Sequence, residues 1–239
     1  MIGRTVPVVE VKRLVALGYR PILIFGNDPS IDDIDFDQIK NSGIITAGVN
    51  RIWHKFEPDY LLFLDTEIQQ ELKNAPKLAN TQAIVSAEYV TCSAQRYPLH
   101  LADVKNKFSR VYNVPNIPRQ FKLFGSVPTL IHVLNEIIYT DKKNIFLVCG
   151  VSLKIDDIQT SHFWKGKVGT LNNKDKYWYS TRFDQQMESF TKIKSYIHHI
   201  YNCTPDSRLS SIYKSLQIEK YLSDESQSFY KTIKRRFRK

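Results

Sequence analysis

The sequence predicts one α/β domain with a mostly parallel sheet and helices on both faces. Short, continuously apolar strands recur along the chain, and helical or irregular segments separate them. This pattern is typical of a parallel sheet that is covered on both sides. With 239 residues, 42% of them hydrophobic, the chain is long enough for a single large core.

Four strands are predicted in the first half, and turn residues separate them from short helices. The predicted strands are residues 21–25, 43–49, 60–65 and 82–87, and the predicted helices are residues 8–17, 34–40 and 67–73. Residues 88–122 are aromatic and interrupted by prolines, and we interpret them as an insertion over the edge of the sheet.

Regular patterns return in the second half. A predicted helix at residues 127–139, followed by a strand at 144–153, is typical of a βαβ unit. Residues 159–182 are polar and aromatic without a clear period, which predicts a long lid-like insertion. The last predicted elements are a helix at 183–199 that ends on His198 and His199, a strand at 200–203, and a helix capped by Asp206 or Ser207.

The charge of the chain favours a polyanionic partner. Lysine and arginine number 34 against 24 acidic residues, and the net charge of +10 suits nucleic acid, a phosphorylated sugar or anionic lipid. We predict a catalytic domain at residues 1–222, followed by a basic C-terminal tail at 223–239 with six basic residues and two acids. The tail is either a solvated terminus or a contact for phosphate or lipid.

Cysteine usage and hydropathy indicate the compartment. The three cysteines are far apart, and no apolar run has the length of a signal peptide or a membrane span. We therefore expect a cytoplasmic protein, with peripheral membrane contact through the tail left open.

The first predicted strand ends on Gly26-Asn27 in the stretch "ILIFGNDPSIDDID". Open α/β sheets bind ligands at the carboxyl ends of their strands. Glycine would let the backbone approach a ligand closely, and an asparagine side chain can form hydrogen bonds without adding charge. The loop has neither the G-x-G-x-x-G pattern nor a Walker motif, and an ordinary strand-to-helix turn is the alternative interpretation.

Five segments in order resemble a Rossmann-like superfamily that contains small bacterial sialyltransferases, motility accessory factors and 6-hydroxymethylpterin pyrophosphokinases. They are "ILIFGNDPSIDDID", "AGVNRI", "FGSVPTLIHVL", "NIFLVCGVSL" and "IYNCTPDSRL", and together they extend over roughly residues 21–222. The resemblance implies a single Rossmann-like domain that binds a nucleotide-sugar donor, with a UDP- or CMP-sugar as substrate.

The resemblance also implies roles for individual residues. The nucleotide phosphates would be lined by Gly26, Asn27, Pro29 and Ser30. Asn50 would contact the ribose or base, and Ser126 would begin a helix whose amides favour phosphate. The aspartates after Ser30 would serve helix capping and a solvated surface, because a carboxylate facing a diphosphate would repel it.

The chain departs from the superfamily pattern at three places. Asp28 replaces a glycine, Gly125 and Ser126 reverse a Ser-Gly order, and Ser152 stands in place of an aspartate. The general base of the sialyltransferases is a histidine whose nearest match here is Tyr179, and His162 is the alternative. An imidazole titrates near neutral pH, whereas tyrosine has an ordinary pKa of about 10.

Asp65 and Glu67, two residues apart at a strand end, form a candidate metal pair, and Asp65 is a further catalytic candidate on that account. The alternative is a cluster of acids at a helix N-terminus. The resemblance implies that no cofactor is required. If a divalent cation such as Mg²⁺ or Mn²⁺ takes part, these two side chains are its expected ligands.

Aromatic and basic side chains alternate in the predicted lid, and this suits stacking on bases above a phosphate backbone. The candidate residues for binding acceptor or nucleic acid are Trp164, Lys165, Lys167, Trp178 and Arg182, with Arg235 and Arg236 in the tail. The alternative is a lid that packs its aromatic rings onto the core.

These observations lead to a hypothesis of a glycosyltransferase that modifies a hydroxymethylated base in duplex DNA, as in a bacteriophage genome. The alternatives are a sialyltransferase-like enzyme that modifies surface glycans at the membrane, a pterin pyrophosphokinase, and an inactive nucleotide-binding module.

Overall fold

The computed structural model describes residues 6–63, 66–85, 105–114, 123–154 and 176–223. Within these residues the chain forms one eight-stranded sheet in the order β5-β4-β3-β2-β1-β6-β7-β8. Every pair of neighbouring strands in this sheet is parallel. The prediction of an α/β fold with a mostly parallel sheet is therefore confirmed.

The strands are β1 (Arg20–Phe25), β2 (Ile45–Val49), β3 (Tyr60–Leu62), β4 (Leu78–Val85), β5 (Phe108–Asn113), β6 (Asn144–Cys149), β7 (Ile200–Asn202) and β8 (Lys214–Ser215). The α-helices are α1 (Val6–Ala16), α2 (Phe36–Ser42), α3 (Thr66–Asn74), α4 (Ser126–Val133), α5 (Lys176–Lys194) and α6 (Ile218–Ser223). None of the described helices is long and apolar enough to cross a membrane.

Two apolar cores lie on opposite faces of the sheet. Helices α1, α2, α3 and α6 pack on one face with Leu23 and Phe25 of β1. Helices α4 and α5 pack on the other face with Ile22 and Ile24. Successive side chains of a strand point to opposite faces, so burial on both sides requires an unbroken apolar run. This is why the central strands are the clearest elements in the sequence.

The strand order reverses at β1. Strands β1 to β5 extend the sheet in one direction, and β6 to β8 continue from the other side of β1. In open α/β sheets such a reversal leaves a crevice at the carboxyl ends of the strands. Helices α4 and α5 each return the chain to the start of the next parallel strand, so their first turns lie at the carboxyl edge.

Two predictions about the less regular segments are wrong. Residues 108–113, inside the predicted insertion, form β5, which is the edge strand of the sheet and pairs with β4. Helix α5 begins at Lys176 and ends at Lys194, so residues 176–182 of the predicted lid are helical and His198 and His199 lie beyond the helix. Residues 159–175 of the lid and 224–239 of the tail lie outside the described residues.

Candidate functional site at the carboxyl edge of the sheet

The aspartates that follow β1 serve local structure. The Asp28 carboxylate accepts a hydrogen bond of 3.0 Å from the Ser30 amide and caps the 3₁₀ turn Pro29–Asp33. Asp35 caps α2 in the same way, accepting a bond of 2.9 Å from the Gln38 amide. Asp32 forms an ion pair of 2.6 Å with Lys55. Among the aspartates after Ser30, the predicted capping role is confirmed for Asp35.

Gly26 joins the end of β1 to the end of β6. Its amide donates to the Cys149 carbonyl at 2.9 Å, and the Asp28 amide donates to the Gly150 carbonyl at 3.0 Å. A Cβ atom at Gly26 would collide with the Gly150 carbonyl oxygen and with the Val151 side chain. The glycine therefore lets the ends of β1 and β6 meet, and its place beside the donor phosphates stays a prediction.

Two of the departures from the superfamily pattern meet in the structure. The Ser152 hydroxyl, which follows β6, donates a hydrogen bond to Asp28 Oδ2. Asp28 thereby caps its own turn through one carboxylate oxygen and holds the neighbouring loop through the other. No sequence pattern signals this pairing, because the two residues lie 124 positions apart.

Residues that follow β7 also form hydrogen bonds with the loop after β6. Thr204, which follows β7, accepts a hydrogen bond of 3.0 Å from the Val151 amide. The Ser207 hydroxyl donates to the Val151 carbonyl at 2.6 Å, and the Arg208 amide donates to the Ser152 carbonyl at 2.9 Å. The ends of β1, β6 and β7 are thus joined by direct contacts.

Unpartnered polar atoms lie instead at the ends of β1 and β2. Asn27 Oδ1, Ser30 Oγ and Asn50 Oδ1 are buried from solvent, and none has a hydrogen-bond partner among the described residues. Phe25 of β1 pairs with Gly48 of β2, so Asn27 and Asn50 each lie two residues beyond the same rung of the ladder. Buried polar atoms normally have a partner. Asn27 and Asn50, two of the residues predicted to bind the donor, thus follow neighbouring strands, and Gly26, Pro29 and Ser30 lie in the same loop as Asn27.

The turn that carries Asn50 is firmly anchored. Asn50 has a left-handed backbone (φ 51°) and begins the 3₁₀ turn Asn50–His54. The buried Arg51 guanidinium donates to both carboxylate oxygens of Glu71 on α3, at 2.5 to 3.1 Å. Hydrogen bonding to this guanidinium lowers the pKa of Glu71 below its ordinary value. The anchor keeps the end of β2 in a fixed geometry.

Trp53 is a residue that the sequence analysis missed. It lies in the same turn as Asn50, and its ring stacks on His54 with centroids 3.8 Å apart. Its indole Nε1 is buried and finds no acceptor in the part of the chain that the structure describes. A lone tryptophan in a turn carries no pattern in the sequence, and only the structure indicates that its N–H lacks a partner.

Ser126 and Arg182 lie on the opposite face of the sheet from this turn. Ser126 begins α4, and Gly125 precedes it with a positive φ of 94°. The Arg182 guanidinium lies 4.8 Å from the centroid of the Phe124 ring, immediately before the start of α4. A helix N-terminus and a guanidinium both favour anions. Tyr179 and Trp178 lie in the first turn of α5, where the structure describes the backbone alone.

The remaining predicted site residues are not tested by the structure. His162, Trp164, Lys165, Lys167, Asp65, Arg235 and Arg236 lie outside the described residues, and Glu67 lies in α3 with its side chain undescribed. Among the side chains that are described, no group of three or more His, Cys, Asp and Glu residues is arranged to hold a metal ion. The metal pair Asp65 and Glu67 stays a prediction.

Comparison of the chain with models of known protein families, with curated proteins and with solved structures gives no match. The resemblance to the Rossmann-like superfamily accordingly rests on the five short motifs and on their order along the chain.

Proposed function

We propose that this protein is a nucleotide-sugar-dependent glycosyltransferase that binds its donor over the ends of β1 and β2. The observation that carries the proposal is the group of three unpartnered buried atoms on Asn27, Ser30 and Asn50. A nucleotide sugar is rich in hydroxyl and amine groups that can satisfy such atoms.

Transfer requires a base that removes the proton from the acceptor hydroxyl as the sugar leaves its nucleotide. Tyr179 is placed in the first turn of α5, a helix that starts at the carboxyl edge of the sheet. His162 is the other candidate, because imidazole titrates near neutral pH. No cofactor is required in this scheme; if a divalent cation assists, Asp65 and Glu67 bind it.

The acceptor in this proposal is a hydroxymethylated base in duplex DNA. The net charge of +10 supports a polyanionic acceptor, and Arg182 supplies a guanidinium near the start of α4. A base in a duplex would have to be flipped outward to reach the site, at a cost of a few kcal/mol. The side chains proposed to bind this DNA also include Trp164, Lys165, Lys167, Trp178, Arg235 and Arg236.

The test is a transfer assay read by mass spectrometry. The protein is incubated with UDP-, CMP- and GDP-sugars and with duplex DNA that contains either hydroxymethylcytosine or cytosine. A sugar-sized gain in mass on the modified DNA alone supports the whole proposal. Asn27→Ala and Asn50→Ala should reduce turnover at least tenfold, whereas Asn80→Ala, at an exposed position on β4, should not.

Other outcomes separate the parts of the proposal. If a donor is slowly hydrolysed without transfer to DNA, the glycosyltransferase proposal stands and surface glycans become the proposed acceptor. Consumption of ATP that requires Mg²⁺ indicates the pterin pyrophosphokinase instead. If no nucleotide or nucleotide sugar binds or turns over, the proposal is wrong.

A further inference from the structure

The unpartnered atoms of Asn27 and Asn50 have one chemical property in common. Both are the Oδ1 atoms of side-chain amides, and both are buried without a partner in the described part of the chain. An amide oxygen only accepts hydrogen bonds. The oxygens of an ionised phosphate also only accept, so they cannot pair with either atom. The matching ligand groups are donors, such as hydroxyls.

The register brings the two residues to the same level of neighbouring strands. Asn27 and Asn50 follow the paired residues Phe25 and Gly48 by the same two positions on neighbouring parallel strands. Such strands are separated by about 4.8 Å. Two adjacent hydroxyls on a sugar ring present two donors on a similar scale, one for each amide.

The backbones that carry the two amides are fixed. The residues on either side of Asn27 are bound to the loop after β6, through the amides of Gly26 and Asp28. Asn50 is followed by Arg51, whose guanidinium is paired with Glu71. Acceptors fixed in advance lose little conformational entropy when a ligand binds.

We infer that Asn27 and Asn50 together bind adjacent hydroxyl groups on a sugar ring of the donor. The inference rests on the proposed donor site, and it replaces the role of Asn27 at the phosphates that the resemblance implies. The hydroxyls belong either to the ribose or to the transferred sugar. In the first case the site discriminates ribonucleotides from 2′-deoxyribonucleotides, and in the second it discriminates nucleotide sugars from free nucleotides.

Isothermal titration calorimetry tests the inference without any need for turnover. The probes are UDP against 2′-deoxy-UDP, CMP against 2′-deoxy-CMP, and UDP-glucose against UDP. In at least one of these pairs, the wild-type protein should bind the probe that has the additional hydroxyls about tenfold more tightly. Asn27→Ala and Asn50→Ala should bring the ratio of the two affinities in that pair close to one.

Aspartate variants test whether the oxygen of each amide binds the ligand, or its N–H group does. Asn27→Asp and Asn50→Asp keep an acceptor oxygen, so the ratio should stay near the wild-type value even where added charge weakens all probes equally. Gln217→Ala is the matched control. Gln217 Oε1 is also buried and has no partner among the described residues, but Gln217 follows β8, which lies three strands away from β1. This variant should leave both the affinities and the ratio unchanged.

Two results overturn the inference and separate it from the proposed function. If wild-type protein binds nucleotides without preference, or if the alanine variants weaken both members of each pair equally, the amides do not bind hydroxyls but the donor site stands. If no probe binds wild-type protein, the donor site and the inference both fail. Thermal melting of each variant excludes loss of fold as the cause.

Discussion

The hydrogen bond between Asp28 and Ser152 is open to a direct energetic test. Asp28→Ala removes two interactions, the cap on the Ser30 amide and the bond from the Ser152 hydroxyl. Loss of an N-cap costs about 1 kcal/mol. A hydrogen bond to a charged group contributes about 1.5 to 3 kcal/mol, and the lower figure applies here because both side chains are half-buried.

These figures predict the outcome of a double-mutant cycle. Asp28→Ala should lower the free energy of unfolding by about 2.5 kcal/mol and Ser152→Ala by about 1.5 kcal/mol. The double variant should lose no more than Asp28→Ala alone, since the bond between the residues is already gone. The expected coupling energy is therefore about 1.5 kcal/mol.

Urea unfolding followed by tryptophan fluorescence measures the four proteins of the cycle. Asp35→Ala is the matched control, because Asp35 caps α2 but, among the described residues, forms no hydrogen bond to the loop after β6. That variant should lose about 1 kcal/mol and show no coupling to Ser152→Ala. A coupling energy below about 0.5 kcal/mol between positions 28 and 152 would refute the argument that the two loops are joined there.

Two further predictions concern stability. Gly26→Ala should lower the free energy of unfolding by about 3 kcal/mol because a backbone carbonyl occupies the Cβ position. Gly18→Ala is the control, since the space there is open but φ is +86°, and it should cost about 1 kcal/mol. Thermal or urea unfolding measures both variants, and equal losses would contradict the packing argument. Burial lowers the pKa of His132, so the unfolded chain takes up a proton first as the pH falls. The stability that His132 contributes is therefore present above about pH 6.5 and is lost below it, by at most about 1.4 kcal/mol per pH unit. The difference in unfolding free energy between wild type and His132→Leu should shrink from pH 7.5 to 5.5, and a constant difference would show that His132 does not titrate as expected.

The sequence predicts the buried strands better than the edges of the fold. Residues 22–25 form a continuous apolar run because both faces of β1 are covered. The edge strand β5 has the sequence FSRVYN, with only its first residue buried, so it lacks such a run and was missed. The start of α5 was missed because Lys176–Tyr179 mixes one lysine with three aromatic residues and shows no helical period.

Local features of the site were predictable, but its long-range contacts were not. The break after β1 is visible in the sequence and points to Asn27, whereas Ser30 and Asn50 are candidates because of the resemblance to the superfamily. The contact of Gly26 with Gly150 and the bond from Ser152 to Asp28 depend on strands that are distant in the chain. A single sequence contains no signal for which glycine faces a ligand and which faces another loop.

The central position of β1 constrains the order in which the chain can fold. β1 pairs with β2 after about 20 residues of chain, but its other neighbour, β6, begins at Asn144. Arg20, only 3% exposed in the finished fold, donates hydrogen bonds to Asp141 and Asn144. Until that segment emerges during synthesis, β1 can pair on one side only, and contacts so distant in sequence form slowly. The edge of β1 on which β6 will pair is therefore open for longer than the edge on which β2 pairs, and a buried arginine at its start is charged while the edge is open, which disfavours wrong pairing.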